Sequence, residues 1–599
     1  MAINFLKKLL FPNIKETIFR FPFPILCTIA FTFFFLSIIN EINIGIKPEP
    51  WFYMLLLCGF FSYTVLKLFV ENHNIDGKKN MYLTLGLTVF LGYFCWLPSL
   101  IGLFLLLAGI LLLLLIAPYI FNDMGEHACC SFNTQLAGSI FFSALATIIL
   151  CAGLSLALVS INYLFDVKFS NKLYQNIWLI GVTFFGPFHV LSAIPKDFQP
   201  KGTGYPKGIV FIFSYILAPL IIGYLGILYA YIIKILIEWN LPKGNITYMV
   251  LAFGLIGIFT HIFSYPIRDT GTKLLKIVYR YFYYALLAPI ALLFIGIGVR
   301  ISDYGITEKR YLVVIFAVWF LLSSAYFILK KELKFKNIIF TISTMLILSS
   351  FGIWGAEHVS AISQVTRLQN LLEKNNILIN GAIHKTSGQI DFEDRKNISA
   401  IVEYLSKGHK AALIKNWFAN YCYINSTSDK RLRASKITDD MGVVYLNKWQ
   451  KSDIFNLSAP KVVGKNPILF NIQTFDYYTN VGYVNFGANN WPQTLEVHNE
   501  KDRTLELHIV KNGVVGVKYP YKDISVQFDL SSTVQNFIND GIKTGEIPES
   551  KRDSFIITKA NKGLEIRIYL TNISGNIKDG APVISYVNFA IAVKYHKKP

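Results

Sequence analysis

From Phe21 to Trp354 the apolar residues fall in blocks of about 18–25 residues, enough to span a hydrocarbon core of about 30 Å as helix. The predicted spans are Phe21–Ile39, Trp51–Val70, Met81–Leu97, Leu100–Ile120, Gln135–Ile161 and Lys172–Ile194. They continue with Ile209–Ile237, Thr247–Tyr265, Phe282–Val299, Tyr311–Leu329 and Asn337–Trp354. Pro98 makes a tight turn between the third and fourth. The first block ends Leu36-Ser37-Ile38-Ile39-Asn40, with no small-x-small cleavage site, so it reads as an uncleaved span and not a signal peptide.

After Trp354 the pattern changes. Val359, Ile362, Val365, Leu368 and Leu372 recur at helical spacing and predict an amphipathic helix over His358–Lys374. Asn397 as N-cap, then Ile398, Ile401, Val402 and Leu405, with Gly408 as terminator, predict a second. From about Pro467 apolar residues alternate with polar ones. Leu505, Leu507 and Ile509 lead through an Asn512-Gly513 turn into Val514–Lys518, a hairpin signal. Ile524, Val526, Phe528 and Leu530 alternate again, as do Leu564, Ile566, Ile568 and Leu570 after the Asn561-Lys562-Gly563 turn. Ile584–Val593 is apolar enough for a central strand.

The expected fold is an α-helical polytopic membrane bundle of about eleven transmembrane helices. A soluble α+β domain, mostly antiparallel and β-sandwich-like, follows it. The expected organisation is a cytoplasmic N-terminal segment, 1–20, and the bundle, 21–354. A juxtamembrane helical and mixed segment, 355–466, then leads to a strand-rich extracytoplasmic domain, 467–599.

Charge orients this plan. The net charge is +20. Under alternating topology the cytoplasmic segments would hold Lys7, Lys8, Lys15, Arg20, Lys78, Lys79, Lys196, Lys201 and Lys207. They would also hold Arg268, Lys273, Lys276, Arg280, Lys330, Lys331, Lys334 and Lys336. The opposite side would hold only Lys47, Lys168, Lys243, Arg300, Lys309 and Arg310, with Lys172 at an edge. This bias places the N-terminus inside and, for an odd number of spans, the C-terminal domain outside. Lysines flanking membrane helices meet lipid headgroups, so the lipid bilayer is the expected partner. No arginine-rich run interleaved with aromatics appears, so nucleic acid is not. Trp51, Trp96, Trp239 and Trp354 lie near span ends, where indole rings favour the interface.

Few residues carry chemistry. His189, Lys234 and His261 are the main ionisable groups at depth; Lys234 can snorkel, and the histidines serve as structural hydrogen-bonders or as sites. The loop Asp123-Met124-Gly125-Glu126-His127-Ala128-Cys129-Cys130 has metal-ligand residue types but no standard spacing, so no metal and no cofactor is assigned. Cys27, Cys58, Cys95 and Cys151 sit in apolar blocks, and Cys422 is alone in the C-terminal domain, so no internal disulfide is expected there. The prolines of Leu217-Ala218-Pro219-Leu220 and Leu287-Ala288-Pro289-Ile290 predict kinks. The densest polar stretch runs Arg300 to Tyr311. Arg300, Asp303, Tyr304, Thr307, Glu308 and Arg310 there either close the loop through ion pairs and a helix cap or grip a headgroup, sugar or domain.

Several segments together resemble the bacterial DUF4153 family. They are Arg20-Phe21-Pro22, Ile194-Pro195-Lys196-Asp197, Leu217-Ala218-Pro219-Leu220, Tyr304-Gly305-Ile306-Thr307-Glu308-x-Arg310-Tyr311 and Ser363-Gln364-x-x-Arg367-Leu368. The resemblance adds Gln364 and Arg367 as juxtamembrane candidates and implies a multi-pass protein of the bacterial cell (inner) membrane. It implies no activity, and no catalytic residues carry over. The leading expectation is a non-enzymatic envelope protein whose bundle anchors an extracytoplasmic module binding a protein or glycan partner. Alternatives are a transporter or lipid flippase using His189 and His261, and a polytopic transferase using Asp303, Glu308 and Arg310 on a lipid-linked substrate.

Overall fold

A computed structural model of the chain describes residues 14–595 with interruptions. Positions 44, 46, 47, 97, 98, 123, 124, 199–206, 239–245, 331–333, 386–389, 407 and 419–429 are outside the description. So are 447–453, 460–474, 487–493, 498–504, 511, 512, 520–523, 541, 543, 548, 562, 563 and 579. Lys7, Lys8, Lys47, Pro98, Asp123, Met124, Lys201, Trp239, Lys243, Lys331, Cys422, Pro467, Asn512, Lys562 and Gly563, named above, therefore lie outside the described residues. The chain divides into two compact units, Met1–Thr366 and Arg367–Pro599.

The first unit is helical, with a helix at each predicted span. Among the described residues seven helices are long and apolar enough to cross a membrane. They are Pro22–Ile39, Pro50–Asn72, Glu126–Phe165, Asn171–Ala193, Ile212–Glu238, Lys273–Tyr304 and Glu308–Lys330. Leu100–Leu114, Thr247–Phe263 and Lys336–Leu348 are apolar but shorter, each under the 18 residues of the shortest of the seven. Length and composition thus carry seven crossings, fewer than the eleven expected.

Small residues let these helices approach. A Cβ on Gly254 would sit 2.5 Å from the Phe320 ring, and one on Gly257 would sit 2.1 Å from Phe282. In lipid, where water supplies no driving force between helices, such close packing holds a bundle together. Phe21, Tyr119, Phe132, Leu275, Tyr283 and Phe320 are buried in its main core.

Two helices widen into π-turns, Gly181–Phe185 and Ile212–Leu217. Each ends one residue before a Gly186-Pro187 or Ala218-Pro219 pair. The Gly186 and Ala218 amides bond back to Gly181 and Phe213, five residues earlier. This wider turn gives room to a proline ring that would clash with an α-helical carbonyl. Pro289, by contrast, sits inside the continuous helix Lys273–Tyr304.

Two other local expectations change. Cys129 and Cys130 lie buried in the helix Glu126–Phe165 rather than in a loop. Asn133 lies one turn on and donates to Cys129 O and Leu115 O, both at 2.9 Å. The second juxtamembrane helix is Phe392–Leu405, capped by Asp391, whose carboxylate accepts from Glu393 N at 3.0 Å. Asn397 is interior. Asp391 wins because it precedes an acidic first turn, Glu393 and Asp394, that suits the positive helix end. The amphipathic helix spans Ala356–Lys374.

The second unit carries two larger sheets among its described residues. In one, Ala581–Tyr595 lies between Tyr477–Asn485 and Leu564–Lys578, antiparallel to both, so the apolar segment predicted to be central is central. Ile556–Asn561 and Ile454–Ser458 also pair with Leu564–Lys578, and Thr544–Glu546 joins Ile454–Ser458 in parallel. The other is an antiparallel meander of Thr494–Val497, Leu505–Val510, Val514–Tyr519 and Ile524–Asp529. Both sheets feed one core that includes Val515, Phe528, Ile566 and Phe589. The helix Leu530–Asn539 adds Val534 and Phe537 to it.

Candidate functional site

The polar stretch Arg300–Tyr311 is a turn between two long helices. Gly305 ends the first at φ +68°, a left-handed value that costs glycine little, and its amide bonds to Ile301 O at 2.8 Å. A helix terminus leaves carbonyls in need of donors. Arg310 answers from the next helix, its Nη1 donating to Tyr304 O at 3.1 Å and Gly305 O at 2.7 Å. Its guanidinium lies 5.4 Å from the Tyr304 ring centre. Gln364 answers from the Ala356–Lys374 helix, its Nε2 donating to Tyr304 O and Ile306 O, each at 3.0 Å. Ile306 N returns a bond to Ser363 Oγ at 2.9 Å. Gln364 is buried, so its amide hydrogens are spent on backbone carbonyls away from solvent.

The clasp extends around the helix start. Tyr311 Oη donates to Trp354 O at 2.7 Å, and Ser99 Oγ bonds the Glu357 carboxylate. Thr307 precedes the helix Glu308–Lys330, and its carbonyl accepts from Tyr311 N at 2.8 Å. Asp303 is exposed, while Arg300 and Glu308 are half-buried. The structure thus joins Tyr304, Arg310 and Gln364 in one network. Arg367 belongs to the second unit, where Nη2 donates to Asn397 Oδ1 at 3.1 Å.

The two candidate histidines, His189 and His261, are apart from this clasp and meet different neighbours. His189 is buried, its Nδ1 2.8 Å from Ser143 Oγ. Ser143 lines an apolar cavity of about 440 Å³ with Phe60, Thr147, Pro187 and Ile194. His261 stacks on Tyr279 with centroids 4.1 Å apart, and Tyr283 and Phe327 meet it edge-on. Its Nε2 lies 3.1 Å from Tyr279 O; because a carbonyl can only accept, that nitrogen carries the proton. An aromatic-walled imidazole bonded to backbone fits a structural role. Lys234 pairs with Glu238 at 3.7 Å near its span end.

One polar cluster escaped the sequence reading as a unit. Arg20 grips both oxygens of Glu71, through Nε at 3.0 Å and Nη2 at 2.8 Å. It also donates to Ile194 O at 2.9 Å and Pro195 O at 3.1 Å. Three helix ends are tied by one guanidinium, whose rigid fork suits this bidentate task. Arg20 and Ile194-Pro195 were visible as motifs; Glu71, an acid at a span end, was the missing signal. Among the described residues no group of three His, Cys, Asp or Glu is arranged to hold a metal ion.

Residues 25–380 match DUF4153, a domain of unknown function. The uncharacterized protein PM1469 of Pasteurella multocida (strain Pm70) is 29% identical over 267 residues. That alignment covers 43% of this chain and 43% of the relative, so the chain matches less than half of the relative's length. No solved structure matches. The matched region contains the Tyr304–Arg310–Gln364 clasp, His189 and His261 and all but the start of the helical unit, and this chain belongs to the DUF4153 family.

Proposed function

We propose that this protein is a non-enzymatic envelope protein of the bacterial cell (inner) membrane. Its bundle anchors a strand-rich module that binds a protein or glycan outside the cytoplasm. The observation that carries this reading is the clasp. Arg310 and Gln364 direct donors at the backbone carbonyls of 304–306, tying the 300–311 turn to the middle of the helix Ala356–Lys374. That is the use expected of an anchor. The charge bias supports a cytoplasmic N-terminus, and eleven crossings would set residues 467–599 outside.

Two fusions and a truncation test the reading. A C-terminal reporter active only outside the cytoplasm should light up, and a cytoplasm-only reporter should stay dark. Crosslinking in intact cells should trap an envelope component on the full chain and not on a chain ending at Asn375, with both inserting equally. A crosslink that survives the truncation, or a cytoplasmic C-terminus, refutes it.

A transporter or lipid flippase is the second reading. It is supported by the two π-turns beside Pro187 and Pro219 and by the cavity at Ser143. Loss of a measurable flux in His189→Leu, with insertion unchanged, would favour it over the anchor.

A further inference from the structure

A buried hydroxyl on a helix commonly answers itself by donating to a carbonyl one turn back. Thr64 Oγ1 donates in this way to Phe60 O at 2.7 Å, Thr147 Oγ1 to Ser143 O at 2.8 Å and Ser343 Oγ to Ile339 O at 2.7 Å. Thr260 Oγ1, Tyr283 Oη and Ser324 Oγ do not. Each is shut off from solvent and has no hydrogen-bond partner among the described residues. All three residues are 0% exposed. A hydroxyl so placed has given up its hydration without recompense, and that calls for a partner.

The three sit on helices that pack against one another, Ile246–Phe263, Lys273–Tyr304 and Glu308–Lys330. Ring contacts fix the register. Gly254 backs onto the Phe320 ring, and His261 meets Phe327 edge-on, the same offset along the chain in both pairs. That offset sets Ser324 level with residue 258, two residues or about 3 Å along the axis from Thr260. Tyr283 lies at this level too, its ring centre 5.0 Å from those of His261 and Phe327. Facing agrees with level. Ser324 comes one turn after Phe320 and shares its face, towards the first helix. Thr260 comes three residues after Gly257, which backs onto Phe282, and shares its face towards the second. The orphan hydroxyls therefore fall within about one turn of a single seam.

Charge decides what they can hold. Residues 254–263, 281–290 and 316–327 contain no Asp, Glu, Lys or Arg, so an ion of either sign would be buried there without a counter-charge from these helices. A hydroxyl both donates and accepts, and so does water, which when buried makes about three bonds to groups otherwise left unanswered. We propose that this seam binds internal water joining the hydroxyls of Thr260, Tyr283 and Ser324. The water supplies each hydroxyl with a partner and knits three helices at the level of His261. The site is separate from the clasp and rests on neither functional reading.

The test uses the full-length chain in bilayer discs. X-ray radiolysis makes hydroxyl radicals from water where it is bound, and mass spectrometry reads the side chains they oxidise. Tyr119 is equally buried, but its hydroxyl donates to Phe198 O at 2.8 Å, which makes it the dry control. Tyr283 should be oxidised about five-fold or more above Tyr119. Thr260→Val with Ser324→Ala removes two of the three partners at nearly constant volume and should lower the Tyr283 label about five-fold. Tyr119 in the same sample reports on folding: if its label also rises, the variant has opened, and the wild-type comparison alone decides. Equal labels on Tyr283 and Tyr119 in the wild type, or an unchanged Tyr283 label in a folded double variant, overturn the site. A label drawn wholly from oxygen-18 water mixed in just before the pulse shows bulk solvent reaching the ring, and overturns bound water as its source.

Discussion

Replacing Gln364 with leucine tests whether the clasp holds the 300–311 turn. The side chain keeps its volume but loses both donors, one to Tyr304 O and one to Ile306 O. Tyr304 O retains the Arg310 bond, so the greater part of the loss falls at Ile306. At about 1 kcal/mol for each neutral hydrogen bond the two sum to roughly 2 kcal/mol. At 1.4 kcal/mol per factor of ten, local opening should become roughly thirty-fold more frequent. Hydrogen–deuterium exchange of the full chain in detergent, read on peptides covering 300–311, measures this directly. Gln364→Glu should be worse, since a carboxylate offers only acceptors to two carbonyls. If both variants change exchange in that turn by less than about three-fold, the clasp does not hold it and the reasoning fails.

Arg20→Lys should destabilise the helical unit by about 1–3 kcal/mol despite keeping the charge, because an ammonium cannot reproduce the bidentate fork on Glu71 or reach both carbonyls. A double-mutant cycle with Glu71→Gln, read by thermal aggregation in detergent, should show coupling; additive effects would refute the contact. In the second unit, the hydrogen bond from Lys374 holds the Asp394 carboxyl below its ordinary range, with Asn375 adding to it. The same contact raises Lys374. The stabilisation by Asp394 is therefore present above the ordinary carboxylate range and lost as pH falls through its lowered folded value. Melting of the full chain should fall in acid, below about pH 4, and the gap between wild type and Asp394→Asn should close there; a gap independent of pH would refute the linkage.

The helical segments were legible because membrane partitioning sums transfer free energies over neighbouring residues, and any long enough apolar run declares itself. The strand alternation at Ile524–Asp529 was equally plain, and in the structure its burial alternates residue by residue. Local competition was harder to read. Asp391 and Asn397 are both good caps, and only the acidic turn after Asp391 separates them. The cysteine-bearing stretch looked like a loop because its polarity masks a helix that runs on to Phe165.

What the sequence by itself determined was where the apolar helices of the first unit run, and that Tyr304, Arg310 and Gln364 were worth naming. Only the tertiary structure decided that these three meet and that Arg20 reaches Glu71 across 51 positions. Hydropathy is a sum over neighbours in sequence. A hydrogen bond depends on how far one helix slides and turns against another, and a shift of one residue, about 1.5 Å, breaks it while leaving the hydropathy profile untouched.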